Sequence, residues 1–255
     1  MIHPTAILDP QSRLGEGVKI GPYCVIGPEV ELGDDCHLHN HVVIDGPTTI
    51  GRGNEFYPFA AIGHRSQDLK YAGEPTSLKI GNGNVFREFC TVHRSTQQGG
   101  ATRIGDHGNF LAYSHIAHDC LIGDHVIFSN NGTVAGHVEV QDYAVLSGFS
   151  GVHQFCRIGR HAMTGGWSKA TQDVPPFFIA DGNPAEARGV NAVGLERRGF
   201  EQGTIQEIKK AYRILYRSNL NRSQAIEQLE HEFPGSAAVG ELVDFIRNSK
   251  RGIVH

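Results

Sequence analysis

Aliphatic or phenylalanine residues recur at every sixth position along most of the chain. In the first quarter these residues are Ile2, Leu8, Leu14, Ile20, Ile26, Leu32, Leu38, Ile44, Ile50, Phe56 and Ile62. The same phase returns at Ile80 and continues to Ile158 before it weakens at Thr164. A period of six is too short for a helical hairpin, and it fits a short strand followed by a sharp bend.

The other positions of the six-residue repeat are also biased. The residue after the hydrophobic one is often glycine, at Gly15, Gly21, Gly27, Gly33, Gly51 and Gly63. We expect these glycines to supply backbone angles that other residues resist. Four positions after the hydrophobic residue the side chain is small, and all five cysteines lie there: Cys24, Cys36, Cys90, Cys120 and Cys156. This placement predicts buried packing residues and argues against disulfides or metal ligands.

Three strands with bends would close one triangular coil, and stacked coils would form a parallel β-helix with a narrow aliphatic core. We predict this fold for residues 1–190. The repeat is interrupted at 64–79 and 94–103. Because loops that leave a regular solenoid often carry function, both excursions are candidates for the site.

The period changes to that of helices near the C-terminus, which predicts a small helical domain over residues 191–255. Thr204 and Glu207 have the spacing of a capping box, and Ser236 can cap a later helix. Lys209, Arg213 and Arg217 form a basic row on the first of these helices. Two explanations stay open for this row, a solvated face and a docking surface for an acidic partner.

Composition narrows the function further. With 23 basic and 27 acidic residues, the formal charge is -4, so nothing favours nucleic acid or an anionic membrane as a general partner. No apolar run approaches the roughly 20 residues that span a bilayer, and the first residues do not resemble a signal peptide. We therefore expect a cytoplasmic protein without stable membrane insertion.

Histidines cluster in the later repeats. His115 and His118 precede Asp119, and His137 and His153 follow at intervals close to one 18-residue coil. The coil geometry would bring these side chains onto one stripe of the surface. His118 is the attractive general base, because imidazole titrates near neutral pH and Asp119 could fix its tautomer. Without context, a surface histidine beside an aspartate is usually ordinary polar decoration.

Zinc is the competing interpretation of the same cluster. Three histidines drawn from His115, His118, His137 and His153 could hold a catalytic zinc ion, as in β-helix carbonic anhydrases. The short spacing of His115 and His118 argues against that family.

Several longer motifs resemble those of one enzyme family. They are Gln67–Pro75, His115–Cys120, Ala135–His137, Val152–Cys156, Gln172–Pro176, Gly189–Asn191 and Arg197–Phe200. Together they cover essentially the whole chain, and they are similar to the UDP-N-acetylglucosamine O-acyltransferases of lipid A biosynthesis. The resemblance implies a left-handed β-helix, a homotrimer with active sites between neighbouring copies, and no metal or other cofactor. It also implies transfer of a 3-hydroxyacyl chain from acyl carrier protein to the 3-hydroxyl of UDP-N-acetylglucosamine, the first step of the pathway.

The resemblance assigns roles to individual residues. His118 is then the general base, Asp119 orients its ring, and the backbone N–H of Gly136 stabilises the oxyanion. Contacts to sugar, diphosphate, hydroxyacyl chain or nucleotide fall to Gln67, Asp68, Lys70, His93, His115, His137, His153, Gln154, Asn191 and Arg197. Gly166 matches the position that limits acyl length, and glycine there implies a myristoyl-like chain. Pro184 and Val193 depart from some relatives, which leaves chain length and a 3-amino acceptor open.

Two other functions compete with this hypothesis. The related N-acyltransferase of the next acylation carries a separate domain before its coils, whereas the repeats here begin at Ile2. A non-catalytic solenoid, such as a scaffold or an ice-binding protein, would need neither a histidine stripe nor the Gln67–Pro75 loop.

Overall fold

Twenty-seven short strands follow one another in the computed structural model, which describes residues 1–255. The first nine are β1 (Ile7–Leu8), β2 (Arg13–Leu14), β3 (Lys19–Ile20), β4 (Val25–Ile26), β5 (Val30–Leu32), β6 (His37–Leu38), β7 (Val43–Ile44), β8 (Thr48–Ile50) and β9 (Glu55–Phe56). The next nine are β10 (Ala61–His64), β11 (Ser77–Ile80), β12 (Val85–Phe86), β13 (Thr91–His93), β14 (Ala101–Ile104), β15 (Asn109–Phe110), β16 (His115–Ile116), β17 (Leu121–Ile122) and β18 (Ile127–Phe128). The last nine are β19 (Thr133–Val134), β20 (Glu139–Val140), β21 (Val145–Leu146), β22 (Gly151–Val152), β23 (Arg157–Ile158), β24 (Met163–Thr164), β25 (Lys169–Ala170), β26 (Phe178–Asp181) and β27 (Glu186–Val190).

Every third strand joins the same sheet, so the chain winds around three faces. Sheet 1 runs β1-β4-β7-β10-β13-β16-β19-β22-β25, and sheet 2 runs β2-β5-β8-β11-β14-β17-β20-β23. Sheet 3 contains β3, β6, β9, β12, β15, β18, β21, β24 and β26, with β27 antiparallel at its edge. All other pairs are parallel, and an undisturbed coil advances 18 positions, as from Val25 to Val43. These pairings confirm the predicted parallel β-helix.

The hydrophobic position of the repeat points inward on all three faces. Its side chains dominate a core cluster of 40 buried residues, which includes a column of Phe56, Phe86, Phe110 and Phe128 rings 4.7–5.3 Å apart. All five cysteines are free and buried within this core, as predicted. Burial raises the pKa of the Cys120 thiol to about 12, so this sulfur stays protonated and unreactive.

The repeat glycines were expected to supply unusual backbone angles, and for most of them this explanation was wrong. Among the six named above, Gly63 has a positive φ, and the other five do not. They are needed for close approach, since a Cβ on Gly21 would lie 2.4 Å from the carbonyl oxygen of His39 in the next coil. Left-handed backbone angles fall two positions later, at corner residues such as Tyr23 (φ 59°) and His41 (φ 58°). Most of these corners carry an aromatic, histidine, aspartate or asparagine residue, and a non-glycine residue adopts this conformation at some energetic cost.

The two excursions enlarge two consecutive coils on the sheet 1 side. Ala61 of β10 pairs with Thr91 of β13, which is 30 positions ahead instead of 18. Thr91 in turn pairs with His115 of β16, 24 positions ahead. The extra residues leave the prism between β10 and β11 and between β13 and β14. Both loops therefore emerge beside β16, which carries the histidine cluster.

Four helices close the C-terminal end: α1 (Ala192–Arg197), α2 (Gln202–Arg217), α3 (Arg222–Glu232) and α4 (Ala237–Arg247). Their apolar faces pack with Phe177, Phe178 and Ile253 in a second cluster of 18 buried residues. Ser236 caps α4 as predicted, by accepting a hydrogen bond from the N–H of Val239. The predicted Thr204–Glu207 capping box was wrong, because α2 begins earlier, after Glu201. The box is found at α3 instead, between Asn221 and Gln224.

Helix α4 lies against sheet 2. Arg160 makes an ion pair with Glu241 at 2.6 Å, and the guanidinium of Arg157 lies 4.3 Å from the ring centroid of Phe245. None of the four helices has the length and apolar character to cross a bilayer.

Candidate active site

A cleft of about 480 Å³ opens on sheet 1 where both excursions emerge. Eight of the predicted site residues line it: Gln67, Asp68, Lys70, His93, His115, His118, Gly136 and Gln154. Ala117 and Ala135 complete the wall. A larger cleft of about 870 Å³ lies between α4 and sheet 2, and none of the predicted site residues lines it. The chemistry predicted from the sequence is therefore concentrated in the smaller cleft.

His118 and Asp119 form a hydrogen-bonded pair at the corner between sheets 1 and 2. The Nδ1 atom of His118 lies 2.7 Å from Oδ2 of Asp119. Their side chains are only 15% and 7% exposed, respectively, so the pair is well shielded from water. With Nδ1 donating its proton to the carboxylate, Nε2 is left unprotonated as the basic atom.

The carboxylate of Asp119 is held by the second excursion. Its oxygens accept hydrogen bonds from the hydroxyl of Ser95, from the hydroxyl of Thr96 at 2.6 Å and from the Thr96 N–H at 3.1 Å. Burial opposes ionisation here, but the hydrogen bonds from Ser95, Thr96 and His118 outweigh it and lower the pKa of Asp119 to about 2. The aspartate is a fixed negative charge at neutral pH.

Gly136 lies one coil beyond His118 and faces the imidazole. A Cβ on Gly136 would stand 2.5 Å from Nε2 of His118, so only glycine fits beside the ring. The N–H of Gly136 makes no hydrogen bond within the chain. Proline occupies the same turn position at Pro22, Pro28 and Pro58, which shows that this position leaves its backbone nitrogen unpaired. Next to His118, the free N–H is available to a reacting group.

His93 and His115 form the floor of the cleft. Burial, followed by the neighbouring His115 ring, lowers the pKa of His93 to about 4. Burial also lowers the pKa of His115, with a smaller contribution from His118. Nδ1 of His115 is 2.7 Å from the hydroxyl of Thr91, which fixes the ring. Both imidazoles are neutral near pH 7 and are suited to hydrogen bonding with a sugar.

His137 borders the His118–Asp119 pair without lining the cleft. Its ring meets His118 edge-on at 5.2 Å and stacks on Phe155 at 4.6 Å. Its Nε2 is 3.7 Å from Oδ2 of Asp119. The ligand atoms of His118, Asp119 and His137 lie within 4.8 Å of one another, so this group has the spacing for a metal ion. The oxygens of Asp119 are, however, already engaged by Ser95, Thr96 and His118.

The first excursion covers the opposite side of the cleft. The side chain of Asp68 accepts a hydrogen bond from the Lys70 N–H at 2.9 Å, and the Asp68 N–H donates to Ser66 at 3.0 Å. The Tyr71 hydroxyl closes the loop by donating to the carbonyl of Glu74. These internal bonds present Gln67, Asp68 and Lys70 as one wall.

Six predicted site residues do not line the cleft of their own chain. Asp119 and His137 adjoin it beside His118, and the other four lie farther away: His153, Gly166, Asn191 and Arg197. His153 is exposed, with its Nδ1 3.2 Å from a guanidinium nitrogen of Arg251. Asn191 is buried and caps α1, and its amide also donates to the carbonyl of His161. Gly166 and Arg197 are both exposed.

Four residues that support the His118–Asp119 pair and the floor of the cleft were not predicted from the sequence: Ser95, Thr96, Thr91 and Thr102. Thr102 accepts the backbone N–H of Asp119 at 2.8 Å. The excursion that contains Ser95 and Thr96 was recognised as a candidate, but nothing in its sequence pointed to Asp119. The only available signal was the concentration of hydroxyl residues in that loop.

Comparison with known proteins places this site in context. Residues 173–254 match the family described as Udp N-acetylglucosamine O-acyltransferase, domain 2, and residues 11–46 match the bacterial transferase hexapeptide repeat. Acyl-(acyl-carrier-protein)–UDP-N-acetylglucosamine O-acyltransferases of Halorhodospira halophila and Thiobacillus denitrificans are 52% and 50% identical, each over 99% of this chain and 98% of the relative. The crystal structure of the UDP-N-acetylglucosamine O-acyltransferase from Moraxella catarrhalis superposes with a TM-score of 0.96 at 44% identity, covering 100% of this chain and 99% of the other.

Proposed function

The chain belongs to the UDP-N-acetylglucosamine O-acyltransferase family, and from that premise we propose that His118 is the general base of the reaction. The enzyme transfers an acyl chain from acyl carrier protein to UDP-N-acetylglucosamine, at the first step of lipid A biosynthesis. We take the donor to be a 3-hydroxyacyl thioester and the acceptor to be the 3-hydroxyl of the sugar. The pairing of His118 with Asp119 at 2.7 Å, in a cleft lined by polar groups, is the observation that carries the mechanism.

The reaction needs a base because a sugar alcohol is a poor nucleophile. Nε2 of His118 removes the hydroxyl proton while the oxygen attacks the thioester carbonyl. The tetrahedral intermediate then collapses, the carbon–sulfur bond breaks, and the leaving thiolate of the carrier protein takes the proton from His118. General base catalysis of this kind contributes about 10²- to 10⁴-fold.

Two neighbours assist His118. Asp119 holds the ring in the tautomer with a free Nε2 and stabilises the imidazolium formed during attack. The N–H of Gly136 is unpaired and lies next to His118, so it can donate a hydrogen bond to the oxyanion of the tetrahedral intermediate. One preorganised donor of this kind contributes about 10²- to 10³-fold to turnover. No covalent acyl-enzyme and no cofactor enter this mechanism.

The rest of the cleft provides binding groups. Lys70 supplies a positive charge for the diphosphate, and the neutral rings of His93 and His115 face the sugar. Gln67, Asp68 and Gln154 add hydrogen-bonding groups at the rim. His137 lies about one coil and His153 nearly two coils after His118, and we assign both to contacts with the hydroxyacyl chain.

We further propose a homotrimer, in which Asn191 and Arg197 act on the nucleotide from a neighbouring copy. Neither residue lines the cleft of its own chain, which supports this arrangement. The corner between sheets 3 and 1 supports assembly as well, because it carries an exposed column of Tyr23, Phe59, Phe89, Tyr113, Phe149 and Trp167. His41 and Asn131 occupy the two other positions of this column. Exposed apolar surface of this kind marks interaction sites. We place the enzyme in the cytoplasm, where acyl carrier protein is found.

To test whether His118 is the base, the turnover of acyl transfer is measured for the purified His118→Ala variant. His125→Ala is the matched control. His125 is also a corner histidine, but it stacks between His107 and Tyr143 at the corner between sheets 2 and 3. We expect His118→Ala to lose at least ~10²-fold in turnover and to keep its melting temperature, and His125→Ala to stay active. Near-normal turnover of His118→Ala would remove this residue as the base.

The same assay settles the substrates when wild-type enzyme is offered a panel of 3-hydroxyacyl donors and two acceptors. We expect UDP-N-acetylglucosamine to be preferred over its 3-amino analogue, as the family's name states. Preference for the amino sugar would overturn the proposed acceptor while leaving the role of His118 intact.

A further inference from the structure

A second group of metal-ligating side chains lies on sheet 3, away from the catalytic cleft. His37 and His39 are two positions apart on β6 and just beyond it, so both side chains point outward from the same face. Glu55 of β9 pairs directly with His37 in the next coil. The β-helix therefore brings two imidazoles and one carboxylate together from two successive turns of chain.

The three ligand atoms already have nearly the spacing that an ion requires. Oε1 of Glu55 is 2.8 Å from Nε2 of His39 and 3.8 Å from Nδ1 of His37. Ligands bound at about 2.0–2.1 Å around a tetrahedral zinc ion are roughly 3.3 Å apart, so these two separations lie on either side of the required value. All three atoms lie within 4.8 Å of one another.

The surroundings hold the rings in place. His39 stacks on Tyr57 with centroids 4.5 Å apart, and the centroids of His37 and His39 are 4.2 Å apart. The exposed Lys19 pairs with His37 from the preceding coil, and its positive charge disfavours a cation at this position.

We propose that His37, His39 and Glu55 form a binding site for a divalent transition metal, with zinc as the first choice. Two imidazoles and one carboxylate form a donor set that suits Zn²⁺, Co²⁺ or Ni²⁺, whereas Mg²⁺ and Ca²⁺ prefer oxygen ligands throughout. Three protein ligands leave the fourth tetrahedral position open to water.

The site links consecutive coils. An ion held by β6 and β9 adds a cross-link outside the core and stabilises the folded chain by mass action, because the unfolded chain does not hold the three ligands together. This role is independent of the acyl transfer, since the ligands are on sheet 3 and the catalytic cleft is on sheet 1.

The experiment compares Zn²⁺ and Co²⁺ binding by the chelator-treated full-length chain and three variants. His37→Ala and His39→Ala each remove one ligand. His118→Ala is the control, because it removes a ligand from the second group with metal-binding spacing, which consists of His118, Asp119 and His137. Binding stoichiometry and affinity come from competition with a metal indicator. The visible spectrum of bound Co²⁺ reports its geometry, and melting temperature is measured with and without Zn²⁺.

We expect wild type and His118→Ala to bind one ion per chain at this site with a tetrahedral Co²⁺ spectrum, and to melt at a higher temperature with Zn²⁺. His37→Ala and His39→Ala should lose at least ~10-fold in affinity and the thermal shift, while retaining acyl transfer. Absence of binding by the wild type would overturn the site. Binding that is lost in His118→Ala and kept in His37→Ala would assign the ion to the catalytic cleft and would also contradict the proposal.

Discussion

The ring of His118 and the α-carbon of Gly136 are in such close contact that a Cβ on Gly136 would lie 2.4 Å from Cε1 of the imidazole. The two residues belong to successive coils. The residues that follow them, Asp119 and His137, are stacked at the adjoining corner. The stacking of coils therefore fixes the distance between the proposed base and the proposed oxyanion donor.

Gly136→Ala tests that contact. The added methyl group would push the ring of His118 out of place, and we expect turnover to fall by ~10²-fold or more. Gly240→Ala in α4 is the control, because a Cβ there would meet nothing within 4 Å. Steady-state turnover and melting temperature of both variants check this, and a fully active Gly136→Ala would show that the close contact is irrelevant to catalysis.

The hydrogen bonds from Ser95 and Thr96 of the second excursion to the Asp119 carboxylate give another prediction. Ser95→Ala combined with Thr96→Val removes two hydroxyl donors, so the pKa of Asp119 should rise and the orientation of His118 should loosen. We expect turnover to fall about tenfold with little change in KM for the sugar. NMR titration of the Asp119 carboxyl measures the pKa directly.

Thr96→Ser is the matched control, since it keeps the hydroxyl that bonds to Asp119. It should behave like wild type in both measurements. If the double variant leaves the pKa of Asp119 unchanged, the excursion does not position the catalytic pair.

The periodic part of the fold could be predicted from the sequence because one inward residue in six is enough to define the coil. The same count placed His118 and His137 on one stripe, and their rings are in contact. The need for glycine after the hydrophobic position could not be explained from the sequence. It depends on the distance between coils, as in the close approach of Gly21 to His39. The short helix α1 was missed since six residues give too little periodicity.

The residues of the candidate site could be predicted only in part, because some of them meet through an irregular loop. His118 and Asp119 are adjacent in sequence, and the motifs around them are characteristic of a family. Ser95 and Thr96 reach Asp119 through the conformation of an irregular loop, and no periodic rule predicts such a contact. Asn191 and Arg197 lie outside the cleft of their own chain, so the roles proposed for them require the proposed homotrimer.

Acyl-chain length should respond to Gly166. A Cβ there would meet only the carbonyl oxygen of Gly148, at 3.6 Å, so the protein itself tolerates a side chain. Gly166→Met would then occupy the space that we assign to the end of the acyl chain. We expect the preferred donor to change from a myristoyl-like chain to one several carbons shorter.

Mass spectrometry of the products from a mixed donor pool measures this preference, and turnover with the shorter donor serves as the internal control. An unchanged product distribution in Gly166→Met would separate this glycine from the choice of acyl length. A dominant ten-carbon product from the wild type would refute the expectation of a long chain.

His161 makes the fold sensitive to acid. Burial, with smaller contributions from Arg160 and Arg198, lowers the pKa of His161 to about 4. The unfolded chain, with a histidine pKa near 6.5, binds more protons between these values, so folding stability falls as pH drops from about 6.5 to 4. For this one residue the loss at pH 5 is ~2 kcal/mol.

His161→Phe should remove that part of the acid sensitivity, because phenylalanine keeps the stack between Tyr143 and Phe177 without a titrating group. Urea unfolding at pH 7 and pH 5 measures the difference. An equal drop in unfolding free energy for wild type and His161→Phe would show that this histidine does not titrate in the proposed range.

The role of His118 as a base is tested most directly by the rate of acyl transfer in His118→Ala with added imidazole. A small base that enters the emptied space beside Gly136 should accept the hydroxyl proton. We predict a turnover at least ~10²-fold below wild type that rises with imidazole concentration, with no such rise in Gly136→Ala. A rate close to that of the wild type in His118→Ala without imidazole would contradict the mechanism.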